Sequence, residues 1–248
     1  MPNATFHIHD SLNFFLPRRH KNREIIHPFD WQASIKDMIE SLGPPHPEIE
    51  LITVNGESVD FNYIVQPDDV INVYPDANGA AASKKIPLRP PYPGRPRFVL
   101  DTHLGRLTAY LRMMGFDTLY QSVDYPDAEI ADVAHDEKRI ALSRDVGLLK
   151  RSKVIYGYYV RNTDPRKRLT EIVERYDLGR HIEPFQFCMK CNGSLEPVDK
   201  DSIRHLISER TQKYYDDFHQ CTSCKRVFWQ GSHYDKMQTL MNEVLGIE

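Results

Sequence analysis

The chain lacks any long hydrophobic segment. No apolar run in its 248 residues approaches the roughly 18 residues that a membrane-spanning helix requires. The N-terminal stretch MPNATFHIHD also lacks the basic and apolar regions of a secretory signal peptide. An apolar fraction of 40% with 27% charged residues is typical of a soluble globular protein. We therefore expect a cytoplasmic protein with no membrane partner, and its length predicts two or three folded units.

The chain has one segment with few basic residues and one with no acidic residue. Residues 1–80 carry only 5 Lys or Arg against 12 Asp or Glu, and residues 81–97 carry no acidic group at all. Residues 138–180 hold 12 basic against 5 acidic residues. Such a local excess of positive charge is a candidate surface for a polyanion. One hypothesis is that the acidic N-terminal region covers this basic stretch of the same chain.

Cysteine is absent from the first 187 residues. The four cysteines form two CxxC pairs, Cys188 with Cys191 and Cys221 with Cys224. Two such pairs in one cytoplasmic chain predict a closed, tetrahedral, structural zinc site rather than a catalytic one. A redox dithiol would explain one pair and leave the other unexplained. Residues 187–248 are therefore predicted to form a zinc ribbon, with DKDSIRHLISER as an inserted helix.

The acidic N-terminal region has the pattern of a β-grasp. Alternating strands in TFHIHDSLNFFL and REIIHPF precede a helix SIKDMIESLG, and ELITVNGESV predicts a hairpin that turns at Asn55 and Gly56. VNGESVDFNYIVQPDDVINVYP resembles the ubiquitin-like sulfur carriers of thiamine and molybdopterin synthesis. Those carriers act through a terminal Gly-Gly, whereas Gly79 is followed by AAASKK and the rest of the chain. The prediction is a ubiquitin-like domain over residues 1–78 that binds a protein partner or the protein's own substrate, with sulfur transfer as an alternative.

Residues 79–96, which contain five prolines, predict an extended linker. Beyond it, apolar strands RFVL, FDTLYQ, RIALS and VIYGYYV alternate with helical patterns such as LGRLTAYLRMMG. Alternation of this kind predicts an α/β domain with a parallel sheet and flanking helices over residues 97–186. Asp164 is expected to cap the last of these helices, with Gly179 at its end.

Acidic residues follow two of these strands. Asp101 ends the first strand and Asp145 ends the third, while Asp127 is expected at the N-cap of the helix between them, close to Glu129. In open parallel sheets, ligands bind beyond the carboxyl ends of the strands. Carboxylates that meet there suit Mg²⁺ or Mn²⁺, and such ions support phosphodiester hydrolysis. Each acid also has a simpler interpretation as a helix cap or turn residue.

VLDTHLGRLTAYLRMMGFDT and PDAEIADVAHDEKRIALSRDVGLLKR, with the helix after NTDP, resemble a PIN-like ribonuclease domain. This is the type found at the C-terminus of mutator-type exonucleases of RNA interference, and in bacterial proteins with a ubiquitin-like N-terminus. The resemblance covers residues 97–240 and implies metal-dependent RNA cleavage at Asp101, Asp127 and Asp145. PIN nucleases commonly have four acids, and the candidates for the fourth are Glu129, Asp124 and Asp164.

The substrate implied by the resemblance is RNA, including tRNA or another structured RNA. Arg106 and Arg112 are expected on the exposed side of the first helix, with Arg106 in contact with phosphate. The full set of basic residues predicted to bind RNA is Arg106, Arg112, Arg144, Lys150 and Arg151. The main alternative is a non-catalytic adaptor that binds RNA or the ribosome with the same fold.

Overall fold

The computed structural model describes residues 1–30, 32–78, 85–123 and 125–246. The chain forms two compact units. The first comprises Met1–Tyr92 and Asp145–Tyr159, and the second comprises Pro93–Arg144 and Val160–Glu248. None of the helices within the described ranges is both long enough and apolar enough to cross a membrane.

The first unit is built on a five-stranded mixed sheet and one helix. Its elements are β1 (Asn3–Ile8), β2 (Ile25–Pro28), α1 (Ile35–Leu42), β3 (Leu51–Val54), β4 (Glu57–Ser58) and β5 (Val70–Tyr74). The strand order is β2-β1-β5-β3-β4, with β1 parallel to β5 and the other pairs antiparallel. This strand order, together with α1, confirms the predicted ubiquitin-like fold.

Local sequence signals set the ends of these elements. Ser34 caps α1 by accepting a hydrogen bond from the Asp37 NH, and Gly43 ends the helix with φ 146°. Asn55 and Gly56 join β3 to β4 with φ values of 52° and 90°, the left-handed conformation that a two-residue hairpin requires. These caps and turns are where the sequence predicts them.

A segment from the middle of the chain folds with the first unit. It contains α4 (Val146–Leu149) and β9 (Gly157–Tyr159). The buried His46 ring binds the Val154 carbonyl at 2.8 Å through Nε2 and Glu40 Oε1 at 2.8 Å through Nδ1. The Tyr159 NH donates to Glu48 Oε1 at 2.6 Å. Contact with the ubiquitin-like core therefore extends to residues that the sequence assigns to the α/β domain.

The described part of the predicted linker is anchored although it has no helix or strand. The Ile86 NH donates to Ser58 Oγ at 3.0 Å, and the Arg89 guanidinium donates to the Ile49 carbonyl at 2.9 Å. The Tyr156 hydroxyl donates to the Pro90 carbonyl at 3.1 Å. The rest of the linker's N-terminal half, residues 79–84, lies outside the described residues.

The second unit begins with the predicted alternation of strands and helices. Its elements are β6 (Phe98–Leu100), α2 (Gly105–Met113), β7 (Thr118–Tyr120), α3 (Asp127–Asp136), β8 (Ile140–Ser143) and α5 (Pro165–Arg175). β6 lies between β7 and β8 and pairs in parallel with both. Since β6 and β8 are buried along their whole length, the sheet is covered on both faces. The parallel sheet with flanking helices is confirmed.

Two predicted helix ends differ from those in the structure. α5 ends at Arg175, so the prediction that Gly179 terminates it is wrong; Gly179 lies in a separate short 3-10 helix, Leu178–His181. The N-cap of α3 is Pro126, so Asp127 is the first helical residue and not the cap. Asp164 caps α5 as predicted, accepting hydrogen bonds from the Arg166 and Lys167 NH groups.

The C-terminal part of the second unit is an antiparallel ribbon followed by a helix. Its elements are β10 (Leu195–Val198), α6 (Glu209–Tyr214), β11 (Phe218–Cys221), β12 (Val227–Trp229) and α7 (Ser232–Leu245), with strand order β10-β11-β12. The insertion between β10 and β11 is a 3-10 helix, Lys200–Leu206, and then α6, rather than the one predicted helix. Ile203, Ile207 and Phe218 form a small buried core in the ribbon, against which Val198, Tyr215, Val227 and Trp229 pack.

Candidate functional site at the sheet edge and the cysteine cluster

Asp101 lies at the carboxyl edge of the parallel sheet, directly after β6, and is only 6% exposed. Its Oδ2 accepts hydrogen bonds from Ser143 Oγ at 2.5 Å and from the Arg144 NH at 2.8 Å. Its Oδ1 accepts from the His103 NH at 2.9 Å and caps the following 3-10 helix. The Asp101 carboxylate therefore caps the 3-10 helix and is also held in a fixed orientation at the ends of the strands.

Ser143 is a site residue that sequence reasoning missed. It is the last residue of β8 and is fully buried, and its hydroxyl binds the Asp101 carboxylate. The signal was present in the motif SRD, where a small polar residue ends an apolar strand, but only parallel pairing of β6 with β8 brings it beside Asp101.

The other predicted acids are more exposed. Asp145 caps α4 by accepting from the Gly147 NH at 2.6 Å. Asp127 is half-buried in the first turn of α3, and Glu129 is exposed in the same turn. Asp164 serves as a cap, and the NH of Lys167 lowers the pKa of its carboxyl. Asp124 lies outside the described residues.

Among the described residues, the four cysteines are the side chains that lie close enough together to hold a metal ion. Asp101, Asp127 and Asp145 are not part of such a group.

The predicted RNA-binding residues fall into two classes. Arg106 and Arg151 are exposed, and neither side chain makes a hydrogen bond or ion pair within the described part of the chain. Arg144 instead donates to the carbonyls of Val160 and Asn162, at 2.9 and 2.8 Å. The positions of the first two suit contact with phosphate, while the guanidinium of Arg144 is occupied by the backbone.

The side chains of Arg112 and Lys150 also donate hydrogen bonds to backbone carbonyls. The expected surface position of Arg112 is wrong: it is 4% exposed and donates to the Thr118 and Lys190 carbonyls at 2.9 and 3.0 Å. Lys150 Nζ donates to the Glu40 carbonyl, and burial lowers its pKa. The helical pattern around Arg112 did not reveal that another loop would cover that side of α2.

The four cysteine sulfur atoms lie within 4.8 Å of one another. Cys188 Sγ is 3.6 Å from Cys224 Sγ, and Cys191 Sγ is 3.5 Å from Cys221 Sγ. Four thiolates around zinc at about 2.3 Å in a tetrahedron would be about 3.8 Å apart. The cluster can therefore bind zinc with little rearrangement.

The protein environment does not favour four thiolates in the absence of a cation. Burial raises the pKa of the Cys188 thiol to about 12. Burial also acts to raise the pKa of Cys221, but the NH groups of Cys224 and Ser223 and the neighbouring thiols outweigh it, and that pKa falls to about 7. Thiolates this close repel one another unless a bound cation compensates their charge.

The two cysteine loops have the same backbone geometry. In each, the first cysteine NH donates to the carbonyl five residues later, and the NH four residues later donates back to the first cysteine's carbonyl. The bonds are Cys188 to Gly193 at 2.8 Å, Asn192 to Cys188 at 2.9 Å, Cys221 to Arg226 at 2.9 Å and Lys225 to Cys221 at 3.1 Å. Asn192 and Lys225 both adopt positive φ, 67° and 60°. We call these loops, 188–193 and 221–226, the two knuckles.

The first knuckle is attached to the parallel sheet. Asn192 Nδ2 donates to Asp117 Oδ1 at 2.7 Å, and Asn192 Oδ1 accepts from the Thr118 NH at 2.9 Å. Burial acts to raise the Asp117 pKa, but hydrogen bonds from Arg139 and Asn192 outweigh it, and the pKa is lowered. With Arg112, these contacts hold the cysteine cluster against β7 and α2.

Substitution of Asn192 should separate the contribution of its side-chain hydrogen bonds from that of its positive-φ backbone conformation. Asn192→Ala loses both side-chain hydrogen bonds and places alanine at positive φ, so we expect the free energy of unfolding to fall by about 3 kcal/mol. Asn192→Gly keeps the backbone conformation and should cost about 2 kcal/mol. Lys225→Gly is the matched control and should be neutral or slightly stabilising. Urea denaturation measures all three, and an Asn192→Gly protein as stable as the wild type would show that the attachment contributes nothing.

Comparison with known proteins gave two matches to family models. Residues 96–241 match the model described as Mut7-C RNAse domain, and residues 1–80 match the model described as Mut7-C ubiquitin. No curated protein and no solved structure matches the chain.

Proposed function

The chain belongs to the Mut7-C RNAse domain family, because the family model matches more than half of the chain. From this premise we propose that the protein hydrolyses RNA phosphodiesters. The observation that carries the proposal is Asp101, a buried carboxylate held at the carboxyl edge of a parallel sheet by three hydrogen-bond donors. Ligand sites of open parallel sheets lie at this edge.

The hydrogen bonds of Asp101 leave one lone pair of its carboxylate for a ligand. An ionised carboxylate offers about four acceptor positions. The Ser143 hydroxyl and the Arg144 NH use those of Oδ2, and the His103 NH uses one of Oδ1. Oδ1 is therefore the atom that would hold an attacking water or a cation beside the scissile phosphate.

We propose Mg²⁺ or Mn²⁺ as the catalytic cofactor, with Asp101 as its central ligand and Asp127 and Asp145 as further ligands. Mg²⁺ is usually held by one or two carboxylates together with substrate phosphates and water. In this proposal the ion would bind together with the RNA. When bound, the ion would activate water and neutralise charge on the phosphate.

Exposed basic residues would bind and orient the RNA. Arg106, one turn beyond Asp101, has an exposed guanidinium, and Arg151 is also exposed. Phosphate contacts from such residues add affinity collectively and depend on salt. In this proposal the zinc ion at the four cysteines is structural, and the ubiquitin-like domain binds a protein partner. The cysteine pairs favour the reducing cytoplasm as the location.

The test is cleavage of 5′-labelled single-stranded RNA and of tRNA by the zinc-loaded full chain, with Mg²⁺ or Mn²⁺ added. The Asp101→Asn, Asp145→Asn double variant is the comparison. Cleavage by the wild type that is lost in the double variant supports the proposal. Equal cleavage by both proteins would overturn it.

A second candidate function is a non-catalytic RNA- or ribosome-binding adaptor. The observation that favours it is that the three acids are not gathered as a metal site within the described ranges. An adaptor would bind RNA in a salt-sensitive manner without any effect of divalent ions. Absence of cleavage with every metal tested, in a protein that still binds RNA, would decide for this function.

A further inference from the structure

The second unit contains a groove of about 820 Å³ beside the cysteine cluster. It lies among α6, β12 and the start of α7, and we call it the aromatic groove. The lining residues on which the inference rests are Phe185, Arg210, Tyr214, Tyr215, Trp229 and Tyr234. Its volume is within the range of about 300–1,000 Å³ that is typical of ligand pockets.

The rings of the aromatic groove are incompletely covered by the protein. Phe185 and Tyr234 are 5.2 Å apart between centroids at 30°, and Tyr215 and Trp229 are 6.4 Å apart at 47°. Tyr214 is 64% exposed. Tyr215 and Trp229 also pack against the small core of the ribbon, and the part of each ring that lines the groove is open to a flat ligand.

Polar groups in the aromatic groove also lack protein partners. Within the described residues, the hydroxyls of Tyr214, Tyr215 and Tyr234 and the Trp229 Nε1 make no hydrogen bond. Several donors and acceptors are therefore available among the rings. A purely apolar partner would leave these groups unsatisfied, at a cost in binding free energy.

The charge of the aromatic groove favours an anionic ligand. Its lining contains no Asp or Glu, and its one charged residue is Arg210, which is exposed and has no ion pair within the described part of the chain. Lys213 Nζ lies 5.7 Å from the centroid of the Tyr214 ring and adds a second cation. Aromatic faces beside cations are the arrangement that binds single-stranded nucleic acid.

We propose that the aromatic groove binds unpaired nucleobases of single-stranded RNA, with Tyr214 and Trp229 stacking on bases and Arg210 contacting phosphate. The inference rests on the proposed function, because it makes RNA the ligand, and it adds a second binding region away from Asp101. RNA would then be held both at the sheet edge and at the ribbon. The zinc ribbon is thereby assigned a part in substrate selection as well as in stability.

Binding measured apart from cleavage tests this proposal. The probe is a fluorescein-labelled 12-nucleotide oligouridylate, compared with the same strand in a duplex, and anisotropy is read without added divalent ions. Tyr214→Ala should weaken binding of the single strand about tenfold, as expected for loss of one stacked base. Arg210→Gln should weaken it several-fold. The control is Arg204→Gln, because Arg204 lies in the same segment, pairs with Asp201 at 2.8 Å and does not line the groove.

Fluorescence of Trp229 gives a second readout. In a Trp31→Phe background, Trp229 is the remaining tryptophan, and the oligouridylate should quench it. Quenching that Tyr214→Ala diminishes supports the proposal. Equal affinity of Tyr214→Ala, Arg210→Gln and wild type, or absence of quenching, would overturn it even if RNA is cleaved. The opposite result is also informative. If the protein binds single strands selectively but the Asp101 substitution does not affect cleavage, the proposed catalytic role of Asp101 is wrong and the proposed role of the aromatic groove stands.

Discussion

Cys221→Ser should prevent zinc binding and unfold the ribbon, with a large loss of stability. The buried core of the ribbon is small, with Ile203, Ile207 and Phe218 at its centre and partly buried side chains packed against them. Such a core is too small to stabilise the ribbon without metal. Structural zinc contributes about 10–16 kcal/mol of apparent binding free energy in small zinc domains, and that energy is also folding energy. The same outcome is expected when a chelator removes the metal.

The loss should extend beyond the ribbon. The first knuckle holds Arg112 through the Lys190 carbonyl and β7 through Asn192. Unfolding of the knuckle exposes the buried Arg112 guanidinium and removes a hydrogen bond from Asp117. We therefore expect the thermal unfolding of the parallel-sheet region to shift downward as well.

Metal content and thermal unfolding measured on the same samples check this prediction. Wild type should contain one zinc per chain, and Cys221→Ser should contain none. Ser223→Ala, in the same knuckle but without a ligand atom removed, is the control and should keep both zinc and stability. A Cys221→Ser protein that melts at the wild-type temperature would contradict the structural role of the metal.

Asp101→Asn should lower kcat/KM for RNA by about 10²–10⁴-fold, the range typical of removing one catalytic acid or base. Asparagine keeps the size of the side chain but loses the charge, and its NH₂ group would face hydrogen-bond donors that the carboxylate now accepts from. The measurement is single-turnover cleavage of a defined RNA with Mn²⁺. RNA binding by anisotropy should be nearly unchanged.

Two further variants make this result specific. Asp164→Asn changes an acid that caps α5 and should leave cleavage unchanged, because asparagine caps a helix as well as aspartate does. Ser143→Ala removes one of the three donors to Asp101 and should lower the rate about tenfold while the carboxylate remains. Full activity in Asp101→Asn, with Asp164→Asn equally active, would exclude Asp101 from catalysis.

Local signals in the sequence predicted the elements of this fold well. Ser34, Gly43 and Asp164 end or begin helices where their side-chain and backbone chemistry requires, and Asn55-Gly56 makes the predicted hairpin. The spacing of the cysteines predicted a cluster that the structure assembles. These features depend on residues close together in the chain, which is why pattern and propensity were enough.

Contacts between residues that are distant in the sequence could not be predicted from local patterns. Arg112 has the helical position of a surface residue and is buried because the first knuckle, more than seventy residues later, covers it. Residues 145–159 follow the α/β pattern, yet His46 and Glu48 of the ubiquitin-like domain bind them. The hydrophobic periodicity of a segment does not indicate which distant residues will pack against it.

The sequence by itself determined the two architectures, the cysteine ligands and the presence of an acid at the end of β6, because each follows from local pattern or from the chemistry of one motif. Only the tertiary structure decided which groups surround that acid, since Ser143 reaches Asp101 through strand pairing across 42 residues. It also decided which cations face solvent and which are held by carbonyls, and it created the aromatic groove from four separate segments of the chain. Burial and orientation depend on what packs beside a residue, and that is a property of the folded chain rather than of any segment of it.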